Sequence, residues 1–202
     1  VEILKEAVKS GRYGRVLDAY FTRLTAAPDW SAGGWLFDKE KSGLLPFDLH
    51  IHDLDLIVSL FGPPAGYSYT TAGRAERKFK EHYRFNYNYD NLNVGAEAAW
   101  YNASYPFTAR WRIYFEEGLL VNEEELIFYP AEGEAVKFDT EAEPKIETGI
   151  NLPPTAMFYS ELSHFIDCAE KDIASDRITK EQLITTAGIL EEIAGLEGGD
   201  DA

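Results

Sequence analysis

Between Tyr67 and Phe138 the chain leaves little choice of fold class, because short alternating segments follow one another with only tight turns between them. Tyr67 to Thr71 opens the series. His82 to Tyr89 alternates with a period of two and runs into a turn at Asp90-Asn91, after which Asn93 to Trp100 runs back. Phe107, Ala109, Trp111, Ile113 and Phe115 repeat the alternation. Glu116-Glu117-Gly118 is a turn, Leu119-Leu120-Val121 resumes, and Leu126 to Tyr129 and Ala135 to Phe138 are shorter strands. Strands joined this tightly pair as antiparallel neighbours. Arg15 to Thr25 reads as one more strand upstream, and Val1 to Ser10 as a short helix ended by Gly11. Pro28 to Gly43 reads as a loop holding Trp30 and Trp35. Beyond a polar linker at Glu141–Pro154, Phe158, Leu162, Phe165, Ile166 and Ala169 mark an amphipathic helix. Thr179 to Gln182 fits a capping box ahead of Leu183, Ala187, Leu190 and Ala194. This order predicts an α+β fold, a large and mostly antiparallel β-sheet with helices packed on one face. The domain is expected to span 1–197, with 198–202 as a tail.

The segment ahead of these strands carries the candidate chemistry. Phe47-Asp48-Leu49-His50-Ile51-His52-Asp53-Leu54-Asp55-Leu56-Ile57 sets three acids and two of the four histidines in an otherwise apolar run. Read as a strand, the alternation slips at His52-Asp53. Read as a helix, the spacing continues to Phe61 without a slip, and Gly62-Pro63-Pro64 supplies the stop. The helix is the better reading. It puts Asp48, His52, Asp55 and Ser59 on one side and Phe47, Ile51, Leu54, Val58 and Phe61 on an apolar stripe. A hydrogen-bonded Asp–His pair on a buried helix is costly to keep and calls for a function.

Composition narrows the partners. The 35 acids against 19 bases leave a net charge of −16, which argues against nucleic acid and anionic membrane surfaces. No apolar run approaches the roughly 20 residues of a membrane span. Cys168 is the only cysteine, so no internal disulfide can form, which fits a reducing cytoplasm. The chain opens at Val1 directly in a helix-like segment, which reads as a piece of a longer protein.

The run from Ser42 through Asp55 resembles the signature of Gfo/Idh/MocA-type oxidoreductases: a glycine-rich lead-in, an Asp, three residues, a His, Asp-x-Asp, and an apolar run closing in Gly. Asp48, His52, Asp53, Asp55 and Gly62 match it. Ser10 to Val16 is similar to that family's entry into its second domain, Arg112 to Val121 to its strand–turn–strand pair, and Tyr159 to Cys168 to its late helix. The resemblance implies the C-terminal substrate-binding and oligomerisation domain of an NAD(P)-dependent enzyme, with a fold like the glyceraldehyde-3-phosphate-dehydrogenase C-terminal domain. Its open sheet face would be free for a homo-oligomer. It implies catalytic roles for His52, as acceptor of a hydroxyl proton, and for Asp48, which holds His52 or a nearby hydroxyl. The substrate would be a sugar, polyol or inositol, contacted by Asp48, His52 and His50.

NAD or NADP would bind a Rossmann domain outside this chain, since no G-x-G-x-x-G occurs here and the family's Glu-Lys-Pro lysine has no counterpart. The fragment alone is expected to be inactive. His50 stands where the family commonly has Gly, and its imidazole could either reach the pocket or cap a core position. Two other readings compete. Asp48-Leu49-His50-Ile51-His52 also resembles the metal-binding strand of amidohydrolases, although that β/α barrel needs about 250 residues and further ligands. A pure interaction module would instead use an aromatic sheet face at Trp100, Tyr101, Tyr105, Phe107 and Trp111.

Overall fold

The computed structural model describes residues 1–139 and 156–196. Their contacts divide the chain into two compact units, Val1–Phe138 with Glu181–Ala202, and Asp139–Lys180. The linker expected at Glu141–Pro154 and the tail at 198–202 lie outside the described residues.

The larger unit is built on one eight-stranded sheet. Helix α1 (Glu2–Lys9) leads into β1 (Val16–Ala26). A 3-10 turn at Ala32–Phe37, a one-turn helix α2 (Lys39–Ser42), a π-helical turn at Pro46–His50 and helix α3 (Ile51–Phe61) follow. Then come β2 (Gly66–Ala72), β3 (His82–Tyr89), β4 (Leu92–Tyr101), β5 (Thr108–Phe115), β6 (Gly118–Asn122), β7 (Leu126–Pro130) and β8 (Val136–Phe138). The predicted strands are all present, and the α+β class with a mostly antiparallel sheet is the observed one.

The strand order β2-β3-β4-β1-β5-β6-β7-β8 adds what the local pattern does not hold. β1 inserts between β4 and β5, parallel to β4 and antiparallel to β5. The end of β1 is tied to the β4–β5 connection by Ala26 N–H to Tyr105 O (3.1 Å) and Ala27 N–H to Tyr101 O (2.9 Å).

One face of the sheet carries the core. Ala19 and Phe21 of β1, Tyr83, Phe85 and Tyr87 of β3, Val94, Ala96 and Ala98 of β4, and Ile113 and Phe115 of β5 are buried there. They pack with Leu54, Ile57 and Val58 of α3 and Leu4 and Ala7 of α1. The other face shows Arg84, Asn86 and Asn88 of β3 and Arg110, Arg112 and Tyr114 of β5 to solvent. Trp100, a candidate for the open aromatic face of an interaction module, is fully buried in the core.

The helix after β1 differs from its expected form. A π-helical turn precedes α3, so residues before Ile51 fall out of phase with those after it. The buried positions are Leu49, His50, Asp53, Leu54, Ile57, Val58 and Leu60, while Phe47, Ile51 and Phe61 are only partly covered. Two polar residues can therefore face the sheet, because each finds a partner there. α2 ends at Gly43, whose φ of 70° is left-handed; a Cβ there would come within 2.5 Å of the Phe47 ring.

α5 (Lys180–Leu196) starts one residue after Thr179, as the capping box predicts. It buries Gln182, Thr186, Leu190 and Ile193, leaving Leu183 and Ala187 exposed. The reason is a polar anchor: Gln182 Nε2 donates to Asp55 Oδ1 at 2.8 Å. In the smaller unit, α4 (Ala156–Lys171) carries Phe158, Leu162, Phe165 and Ile166 exposed.

The contact that locks α3 to the sheet is ionic. Arg23 Nε and Nη2 donate to Asp53 Oδ2 and Oδ1 at 3.1 and 2.9 Å, with Asp53 almost wholly buried. Burial pushes the Asp53 carboxyl above its usual value, and the Arg23 guanidinium pulls against that rise. Arg23→Met should cost about 3–5 kcal/mol at neutral pH, because it strands a buried charge. An Asp whose folded pKa is raised gains a proton in the folded state as the pH falls, so the loss should shrink in acid. Urea unfolding at neutral and mildly acid pH checks both statements.

Candidate active site

The π-helical turn and the start of α3 bring the signature residues to the mouth of a cleft of about 270 Å³. Asp48, Leu49 and His52 form one wall. Arg23 and Thr25 at the end of β1, Trp100 of β4, and Pro28, Trp30 and Phe107 from the adjoining connections form the rest. Trp30 and Phe107 are 71% and 62% exposed, so two aromatic surfaces stand at the rim.

Asp48 and His52 share this cleft, yet no hydrogen bond joins them. His52 is exposed and Asp48 is partly buried, so the pair is not the sealed unit expected from a buried helix. Burial pushes the Asp48 carboxyl above its ordinary value; the Trp100 indole and the His52 imidazole oppose that rise. The two groups lie close enough to feel each other's charge, and both line the cleft.

His50 occupies the core and does not line the cleft. Its ring stacks on Phe85 with centroids 3.7 Å apart, and its Nε2 lies 2.5 Å from the Tyr87 hydroxyl. Burial keeps Tyr87 protonated well beyond the usual range, so the neutral hydroxyl and Nε2 share one hydrogen bond. The expected substrate contact by His50 is therefore corrected to a core position, because the π-helical turn rotates the side chain onto β3. Asp53 and Asp55 face Arg23 and Gln182, and both serve packing.

The metal reading fails on the same geometry. Asp48 and His52 point into the cleft while His50 points at Tyr87, so the three do not converge. Among the described residues no group of three or more His, Cys, Asp or Glu side chains could hold a metal ion. No helix among them is long and apolar enough to cross a membrane.

Sequence reasoning missed Arg23 as a cleft residue and named Trp100 only as a candidate for an open sheet face. Arg23 gives no local signal, since its role depends on β1 lying beside β4. The signal for Trp100 was available in its β4 phase: it shares a face with Val94, Ala96 and Ala98.

Comparison with known proteins follows from this geometry. A family description of the GFO/IDH/MocA C-terminal domain matches residues 1–121. The chain belongs to that family. No curated protein matches it in sequence. Among solved structures it is similar to an oxidoreductase from Agrobacterium radiobacter in complex with NAD+, L-tartaric acid and magnesium. That match has a TM-score of 0.77 and 16% identity, over 100% of this chain and 60% of the other. It is also similar to levoglucosan dehydrogenase in complex with NADH and levoglucosan (TM-score 0.75, 17% identity, 96% and 60%). A third is the aldose-aldose oxidoreductase from Caulobacter crescentus complexed with glycerol (TM-score 0.74, 16% identity, 96% and 58%). The chain thus spans about three-fifths of the length of these proteins. At this identity the likeness shows the shared fold.

Burial holds the His50 pKa down to about 3, and the Arg23 charge adds to the effect. An unfolded histidine protonates near pH 6.5, so between those values the unfolded chain binds the extra proton. The contribution of His50 to stability is therefore present above that window and drains away as the pH falls through it. His50→Phe should flatten the acid side of the stability curve, measured by urea unfolding across that window.

Proposed function

We propose that this chain is the substrate-binding and proton-transfer half of a nicotinamide-dependent oxidoreductase acting on a hydroxyl carbon of a sugar, polyol or inositol. The observation that carries the reading is the pairing of Asp48 and His52 at one wall of an open cleft, inside the family signature. The solved neighbours hold L-tartaric acid, levoglucosan and glycerol, all hydroxylated small molecules.

The chain's own residues do not fit a dinucleotide. It has no G-x-G-x-x-G turn, and the described sheet is not the parallel, doubly wound kind that binds one. A nicotinamide cofactor, NAD or NADP, would belong to a separate domain of the parent and would supply the hydride chemistry. The isolated chain is then inactive in turnover.

The work left to this chain is binding and proton movement. An imidazole at His52 is exposed to the cleft, where it suits a base that takes the hydroxyl proton as the carbinol carbon is oxidised. Asp48 accepts a hydrogen bond from a neighbouring hydroxyl or from His52 itself. Trp30 and Phe107 offer apolar faces to the C–H side of a carbohydrate, while Arg23 offers donors to its oxygens. His50 has no part in binding.

The sheet face away from the helices supports a second role for the same domain, self-association. Tyr114 and Tyr129 are 48% and 46% exposed there, beside the partly covered Leu119, Val121 and Ile127. On the same face, Glu97 of β4 is held by His82 Nε2 (2.7 Å) and the Tyr20 hydroxyl (3.3 Å), a preformed polar cluster of the kind interfaces use. Light scattering on the purified chain should give a dimer or higher oligomer, and Tyr114→Glu should return it to monomer.

The parent enzyme, carrying its nucleotide-binding domain, should reduce a nicotinamide cofactor in the presence of at least one sugar, inositol or hydroxy acid. In that enzyme His52→Ala should lower kcat by roughly 10²–10⁴-fold. An unchanged rate in steady-state assays would remove His52 from the reaction.

A further inference from the structure

Trp100 presents an anomaly at the back of the cleft. Its side chain is fully buried, and its Nε1 makes no close, well-aligned hydrogen bond, although it still favours the charged form of the Asp48 carboxyl. A buried N–H without an acceptor is costly, and native proteins rarely keep one. The ring is also held firmly. Phe37 and Phe79 meet it edge-on, with centroids 5.5 and 6.1 Å away, and its backbone N–H donates to Glu81 O at 2.8 Å. A rigid mount of this kind aims the indole N–H at one place.

The acceptor it acts on is Asp48, which lines the cleft beside it. Nε1 itself is shut off from solvent, so it influences a ligand only through that neighbour. We propose that Trp100 is a positioning residue whose indole N–H is reserved for the Asp48 carboxylate, holding it aimed into the cleft. The inference rests on the role proposed above for Asp48.

Other charged groups around the site are accounted for. His52 and Arg23 share the cleft with Asp48, and Arg23 is tied to Asp53. His50 is turned to Tyr87. Glu97, on the same strand as Trp100, faces the opposite side of the sheet and holds His82. Glu81 is bound by Arg74. Among the described cleft residues, Trp100 Nε1 is the fully buried neutral donor without a close partner of its own.

The pairing can be tested without substrate. In protein labelled with ¹⁵N-tryptophan, the Trp100 indole N–H resonance should move with pH through a single titration, and Asp48→Asn should abolish it. The resonance is assigned with Trp100→Phe or, if that variant does not fold, by elimination with Trp30→Phe, Trp35→Phe and Trp111→Phe. A resonance that does not titrate, or one that titrates unchanged in Asp48→Asn, overturns the proposal.

A second measurement separates it from the functional reading. In the parent enzyme, assayed with the best-used of D-glucose, myo-inositol and L-tartrate, Trp100→Phe should shift the acid limb of kcat/KM upward by about one pH unit. A limb unmoved in Trp100→Phe but lost in Asp48→Asn overturns the role of Trp100 while sparing that of Asp48. A kcat/KM indifferent to Asp48→Asn overturns the functional reading, and with it the catalytic purpose of the pairing.

Discussion

The bidentate bridge between Arg23 and Asp53 is the contact on which the site depends. It joins the first turn of α3 to β1, the strand at the centre of the sheet, and it decides how α3 is rotated. With Asp53 facing the sheet, His50 falls onto Phe85 and Tyr87, three residues earlier on the same side. Asp48 and His52 are left at the mouth of the cleft. A planar guanidinium is suited to this task because two parallel hydrogen bonds fix angle as well as distance. Such a bridge adds little net stability over an apolar contact, but its loss would leave a carboxylate in the core. Its value lies in orientation.

The cleft gains its chemical character from unequal burial. Asp48 sits deep enough for desolvation to raise its pKa, whereas His52 stands in solvent. Arg23 belongs to both structure and site, since two of its nitrogens hold Asp53 while the side chain still lines the cleft. The aromatic cage of Phe37, Phe79 and Trp100 backs the same wall, so the site rests on packed rings behind and mobile-length side chains only in front.

Much of the architecture was legible in the chain. The alternation of Tyr83, Phe85 and Tyr87, the turn at Asp90-Asn91 and the Gly118 turn are local signals, and each strand they predict is present. The stop at Gly62 and the start of α5 after Thr179 are local as well. The errors have a common origin. The apolar stripe expected on Phe47, Ile51, Leu54, Val58 and Phe61 is buried at Leu54 and Val58 but only partly at the other three, because His50 and Asp53 enter the core to meet Tyr87 and Arg23. The same holds for Gln182, which displaces Leu183 from the buried face of α5 by reaching Asp55. A residue's partner across the fold is invisible to periodicity.

Content and spacing along the chain therefore picked out the candidate residues: Asp48 four residues before His52, within a run that closes at Gly62. They also settled the class of fold, because tight turns between alternating segments admit few alternatives. The insertion of β1 between β4 and β5, which sets Arg23 and Thr25 opposite Ala98 and Trp100, had no such local source. That placement is a long-range pairing, and long-range pairing alone brought Arg23 to Asp53, turned His50 inward and stationed Trp100 behind Asp48. Spacing along a chain specifies neighbours on one element, whereas the partners that desolvate, neutralise or aim a side chain come from elements distant in sequence.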